Sequence, residues 1–160
     1  MFHMLKTDRE EREDTIEIPL NTHTEIYEKY SGRVEKVQEG FAEIHLDIVK
    51  EMIADEQGLI HSGFIFSGAS FAAVVAVNEK YGFVIGSVVN FLAPVRDDDT
   101  IIYKAYARQK IGRKRVVDVI GQVGEIKVFI GEFTVVVMEK HILNIKLDEI
   151  TSSEFQIDEK

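Results

Sequence analysis

The stretch Phe64-Ile65-Phe66-Ser67-Gly68-Ala69-Ser70-Phe71-Ala72-Ala73-Val74-Val75-Ala76-Val77 constrains this chain more than any other. Wound as a helix it is apolar nearly all round, so it must be buried on most sides. It falls short of the roughly 20 apolar residues that span a bilayer, which makes it a core helix with no membrane insertion expected. Ser62 is placed as its N-cap. Gly68, Ala69, Ala72, Ala73 and Ala76 allow a sheet to approach the helix backbone closely. A lone helix buried this fully needs a curved sheet around it.

The strands of that sheet are legible on both sides of the helix. Arg33 onward reads as a strand, Glu39-Gly40 as a turn, and Phe41 to Ile48 alternates cleanly, with Glu43, His45 and Asp47 on one face and Ile44, Leu46 and Ile48 on the other. Met52 to Ile60 connects this hairpin to the helix. Beyond the helix, Phe83–Phe91, Thr100–Lys110, Arg113–Gln122 and Glu125–Met138 read as four more strands with short turns between them, and Gly131 is expected at a bulge. Short turns imply antiparallel neighbours. The fold class is therefore α+β, a curved antiparallel sheet around one central helix in the order β-β-α-β-β-β-β. Asn21-Thr22-His23-Thr24-Glu25 has capping-box spacing and predicts a short N-terminal helix that ends at Ser31-Gly32.

Residues 1–20 are read as a charged arm, loosely ordered or lying on a partner subunit. Residues 21–140 make a single domain, and 141–160 a polar tail with some helical periodicity. The free edge of such a sheet is a liability that a second subunit would cover, so a homodimer or a multiple of it is expected.

Composition closes off several classes. The 160 residues carry a formal charge of −9, so nucleic-acid binding, which needs a basic face, is not expected. There is no cysteine, which excludes disulfides, thiolate metal sites and cysteine nucleophiles. The N-terminal residues lack the apolar core of a signal peptide and the cytoplasm is the expected location. No pair of ligand-type residues within one element has metal spacing, so no metal is expected.

Around the helix start, Asp55-Glu56-Gln57-Gly58-Leu59-Ile60-His61-Ser62-Gly63-Phe64-Ile65-Phe66 resembles the hotdog thioesterase pattern N-x-x-G-x-x-H-G-G-x-I-F. Gly58, His61, Gly63, Ile65 and Phe66 match, Asp55 stands for the asparagine, and Ser62 for the first glycine of the pair. Val89-Asn90-Phe91-Leu92-Ala93-Pro94-Val95 resembles the same group's strand ending in N-F-L-x-P. The resemblance spans about residues 33–138 and implies a hotdog fold that binds acyl-CoA or coenzyme A, with no other cofactor required. That group carries an acidic residue on the helix where this chain has Ser70. From Arg33 to Lys140 the chain is also similar to the effector-binding half of the malonyl-CoA-responsive repressor of fatty-acid synthesis, a hotdog protein that lacks the helix carboxylate and does not hydrolyse its ligand. The first twenty residues are too short for that repressor's DNA-reading domain.

The expected function is acyl-CoA binding with a sensing or regulatory role in fatty acid metabolism and little hydrolysis. The alternative is an active thioesterase using Asp55 or His61 with water, and a hydratase is less favoured because the helix holds no acid before Glu79. Backbone N–H groups at Ser62 and Gly63 are candidates to hold a thioester carbonyl, or else an ordinary helix start. His61 either orients the thioester or shapes its loop. Asp55 is a candidate for the missing base, against a plain solvated loop acid. Ser70 lines the pocket or merely packs in the core. Asn90 and Arg96 are rim candidates by position. Arg113-Lys114-Arg115 offers a docking point for the phosphates of coenzyme A, or a solubilising hairpin tip.

Overall fold

In the computed structural model, which describes residues 17–145, the apolar run folds as the core helix and six strands wrap it. A single turn, α1 (Glu28–Ser31), precedes β1 (Arg33–Gln38) and β2 (Phe41–Asp47). A 3-10 turn (Lys50–Met52) and a loop lead to α2 (Ser62–Val77). Four strands follow: β3 (Gly82–Phe91), β4 (Thr100–Ile111), β5 (Lys114–Val123) and β6 (Ile126–Val137). The sheet runs β1-β2-β4-β5-β6-β3 with every neighbouring pair antiparallel. This is the hotdog fold, with β3 closing one edge of the sheet and β1 the other.

Period-2 alternation decides what meets the helix. Ile44 and Leu46 on β2, Ile101, Tyr103 and Ala105 on β4, Val117 and Val119 on β5, and Phe129 and Phe133 on β6 are all fully buried. The small residues of α2 set how near these can come. A Cβ on Gly68 would lie 2.5 Å from the Tyr103 ring. With no Cβ there, the phenol reaches across and donates to the Ile65 carbonyl at 2.8 Å. Burial pushes the Tyr103 pKa up, so the hydroxyl stays a donor at any ordinary pH.

Three expectations need correcting. The N-terminal segment is helical only over Glu28–Ser31. Asn78, the left-handed C-cap of α2, takes hold of the chain upstream: its Oδ1 accepts the Asn21 N–H at 2.7 Å, and its Nδ2 donates to the Pro19 carbonyl at 2.9 Å. His23, at φ 49, then turns the chain where a helix was expected. Gly131 is no bulge, since it pairs in register with both Val89 and Val119. It is glycine for clearance, because a Cβ would come within 2.9 Å of Val89 Cγ1 and 3.0 Å of the Phe129 and Phe133 rings. Register shifts fall instead between Val84 and Gly86 on β3 and opposite Gly121/Gln122 on β6. Finally, the part of the arm described here lies on its own chain. Val37 N–H donates to Glu17 Oε2 at 3.0 Å, and Ile18 N–H donates to the Val37 carbonyl at 3.1 Å. The rest of the arm and most of the tail lie outside the described residues.

Candidate functional site

The helix begins one residue earlier than the sequence predicts, at Ser62 itself. His61, extended at φ −63 and ψ 127, is the N-cap, and Ser62 is the first helical residue. The His61 side chain makes no capping bond. Phe64 N–H reaches the His61 carbonyl at 3.1 Å, while the N–H groups of Ser62 and Gly63 have no acceptor among the described residues. Two donors at the positive end of a four-turn helix thus face outward.

They open beside a groove of about 380 Å3, walled by Leu59–Ser62 and Ile65 on one side and Phe91–Val95 on the other. The walls are mainly apolar and the size suits a small-molecule ligand. His61 is pinned through its backbone, whose N–H donates to the Met52 carbonyl at 3.0 Å. Its exposed ring folds back over the first turn, so a Cβ on residue 63 would come within 2.8 Å of Nε2. Gly63 is therefore what lets the imidazole fold back against the helix start. Among the described residues no three of His, Asp and Glu come together in a way that could hold a metal ion.

The other predicted residues are distributed less simply. Asp55 lies in the loop before the groove, exposed, and its Oδ1 accepts the N–H groups of Gln57 and Leu59, both at 3.0 Å. Its carboxylate organises the turn around Gly58. Ser70 sits about two turns along α2 from Ser62, half-buried. The neighbouring Ser67 is engaged with Ser31, Oγ to Oγ at 2.9 Å. Asn90 is exposed and does not wall the groove. Phe91 meets the Phe129 ring edge-on at 5.5 Å on the helix side of the sheet, so alternation turns Asn90 to the outer face. Arg96 is exposed in the turn that follows, its N–H donating to Asp99 Oδ2 at 2.8 Å.

Arg113, Lys114 and Arg115 lie at the far end of the sheet from the groove in the same protomer. Lys114 pairs with Val136, which pairs with Phe83, whereas Gly121 pairs with Phe129, which pairs with Phe91. From Phe129 to Val136 along β6 is roughly 23 Å, at about 3.3 Å per residue. Arg113 leans toward Glu139 at 3.5 Å, and Arg115 donates to the Gly112 carbonyl at 2.9 Å. The groove wall Phe91-Leu92 was missed as a site element, although the same alternation that buries Phe129 marks Phe91 as facing the helix.

No protein-family model matches the sequence. Among solved structures, the uncharacterized protein PH1136 of Pyrococcus horikoshii is 36% identical at a TM-score of 0.79, the match covering 81% of this chain and 99% of that one. Cj0977, a sigma28-regulated virulence protein of Campylobacter jejuni, is 35% identical at 0.75, covering 78% and 88%. The chain belongs to the family of these two proteins. Its fold is shared more widely. A hypothetical thioesterase protein from Streptococcus pneumoniae, solved with coenzyme A, is 21% identical at a TM-score of 0.62 and covers 68% of this chain and 87% of that one. The smu.793 protein of Streptococcus mutans, bound to acetyl CoA, is 20% identical at 0.64 and covers 74% and 97%. A curated relative, methylthioribose-1-phosphate isomerase of Aquifex aeolicus, is 45% identical over 114 residues, which is 71% of this chain but 25% of the relative's length. No helix among the described residues is long and apolar enough to cross a membrane.

Proposed function

We propose that this chain binds a coenzyme A thioester in the groove at the start of α2, as a dimer, with a sensing or regulatory role and little hydrolysis. The observation that carries the reading is the pair of unpaired N–H groups at Ser62 and Gly63, at the helix start where Ser62 lines an apolar groove. Donors held at a helix N-terminus suit a thioester carbonyl oxygen, and the apolar walls suit an acyl chain. Proteins of the same fold that hold coenzyme A or acetyl CoA support the ligand class. The likeness to an acyl-CoA-responsive repressor half supports sensing. The proposed place of action is the cytoplasm.

Low turnover follows from the chemistry of the candidate residues. Ser70 offers a hydroxyl where hydrolytic relatives are expected to carry a carboxylate, and a serine without an adjacent base is a poor nucleophile. Asp55 is committed to its own loop. One observation favours the second reading, a thioesterase with water: the exposed His61 ring lies close against Gly63 at the helix start and lines the groove, and it is of the right type for a general base.

Native mass spectrometry of the purified protein, looking for a retained acyl-CoA, tests the first reading alongside a hydrolysis assay over an acyl-CoA panel. Retained or tightly bound ligand with turnover well below about 1 per second, the low end of ordinary enzyme rates, is the expected result. Faster turnover that is abolished by His61→Ala would establish the second reading instead.

A further inference from the structure

A second cavity, of about 420 Å3, lies at the other end of α2, where Thr22-His23, Lys80–Phe83 and His141–Leu143 meet. The polar groups it offers are mostly donors. His141 Nδ1 accepts the Leu143 N–H at 3.1 Å, which leaves the ring proton on Nε2. His23 Nδ1 lies 2.8 Å from Thr22 Oγ1, and with the hydroxyl donating this ring too is a donor at Nε2. Lys80 holds its ammonium 5.4 Å from the centre of the Tyr81 ring and makes no ion pair among the described residues. No Asp or Glu lines the cavity among those residues. An ammonium, the His141 N–H and the His23 ring, with no carboxylate among the described lining residues, suit a phosphate.

The position of the cavity indicates whose phosphate. It adjoins Gly82-Phe83 at the start of β3, while the thioester groove adjoins Phe91 at the end of the same strand. Antiparallel pairing of β3 with its copy about a two-fold axis sets the start of one strand beside the end of the other. Both helices then lie on one side of the joined sheet, and the cavity of each protomer sits next to the groove of its partner. The same rotation brings the partner's Arg113 turn to that end. Resting on the thioester reading above, we infer that the cavity around Lys80, His23 and His141 receives the phosphate end of a coenzyme A whose thioester lies in the other subunit's groove.

Acetyl-CoA and acetyl-pantetheine, which share the thioester and differ in the nucleotide phosphates, separate the two claims in calorimetric titration of the full chain. Lys80→Ala and His141→Gln are expected to weaken acetyl-CoA by about tenfold each, the worth of one charge-assisted hydrogen bond, and to leave acetyl-pantetheine unchanged. Equal binding of the two ligands by the unmodified protein, or no loss in either variant, overturns the inference and spares the thioester reading. Failure of both ligands to bind overturns both. Mixed dimers test the crossing between subunits. Ala93→Trp fills the groove from one of its lining positions, and Lys80→Ala disables the cavity. One lesion on each protomer should leave one tight acetyl-CoA site, whereas both on a single protomer should leave none. A surviving site in the second arrangement would place groove and cavity of one ligand in the same subunit and overturn the crossing.

Discussion

Gly68 and Tyr103 form a close approach of helix to sheet, and the contact is held by shape and by one hydrogen bond. Gly68→Ala would gain helix propensity of about 1 kcal/mol on an open surface. Here the new methyl meets the Tyr103 ring at 2.5 Å, and overpacking of this kind costs about 1–3 kcal/mol, so a lowered urea midpoint is expected. Tyr103→Phe keeps the ring and strips the hydroxyl from the Ile65 carbonyl, with an expected loss of about 1 kcal/mol. Combining it with Gly68→Ala should cost more than Tyr103→Phe alone, because the ring still stands where the methyl must go. At Ser70 the change worth making is to aspartate. It should raise thioester hydrolysis if the carboxylate reaches the groove from its half-buried place on α2, with circular dichroism run beside the assay because an unpaired buried carboxylate is costly. Unchanged turnover in a folded variant would show that the serine position does not address the ligand. None of these residue-level outcomes was legible beforehand as geometry. The sequence marks Gly68 as small and Ser70 as polar, but the partner that makes either matter comes from β4 or from the groove.

Among elements, α2 and the last four strands were readable because their patterns are long and unambiguous. A run without a polar face has one solution, and sustained alternation has another. The failure at Asn21–Tyr27 has a physical cause of equal clarity. A capping box is a local signal of modest strength, and it lost to three non-local bonds: two with the Asn78 side chain and one from the Ile18 N–H to the Val37 carbonyl. Asn78→Gly should keep the left-handed turn and release the segment, whereas Asn78→Ala strains the turn as well. Faster amide exchange at Asn21 in both variants, with α2 fraying only in the alanine one, would bear that out. Strand β3 yields a sharper expectation. Val88 is 72% exposed and Phe91 45%, on a strand paired along one side only, by β6. If β3 joins its copy, the β3 amides that point away from β6 should exchange slowly at micromolar protein and quickly on dilution. Fast exchange at every concentration would refute pairing through this strand.

For the molecule as a whole, sedimentation at micromolar concentration should give a dimer or a multiple of it. A stable monomer that still bound acyl-CoA tightly would remove the case for a shared site. The two margins of the sheet differ in a way that bears on how far such assembly can go. A sheet with two bare margins adds copies without end, since every newcomer presents a fresh strand to the next, and that is the route to fibres. Here β1 is irregular between Val34 and Lys36, and the backbone groups of Val37 are already occupied by Glu17 and Ile18 of the same chain. Once two copies have met along β3, the strands left outermost are two copies of β1, each already tied off by its own chain. Growth through backbone pairing therefore stops at two, and Glu17 and Ile18, just before the hotdog core, act as a terminator of polymerisation.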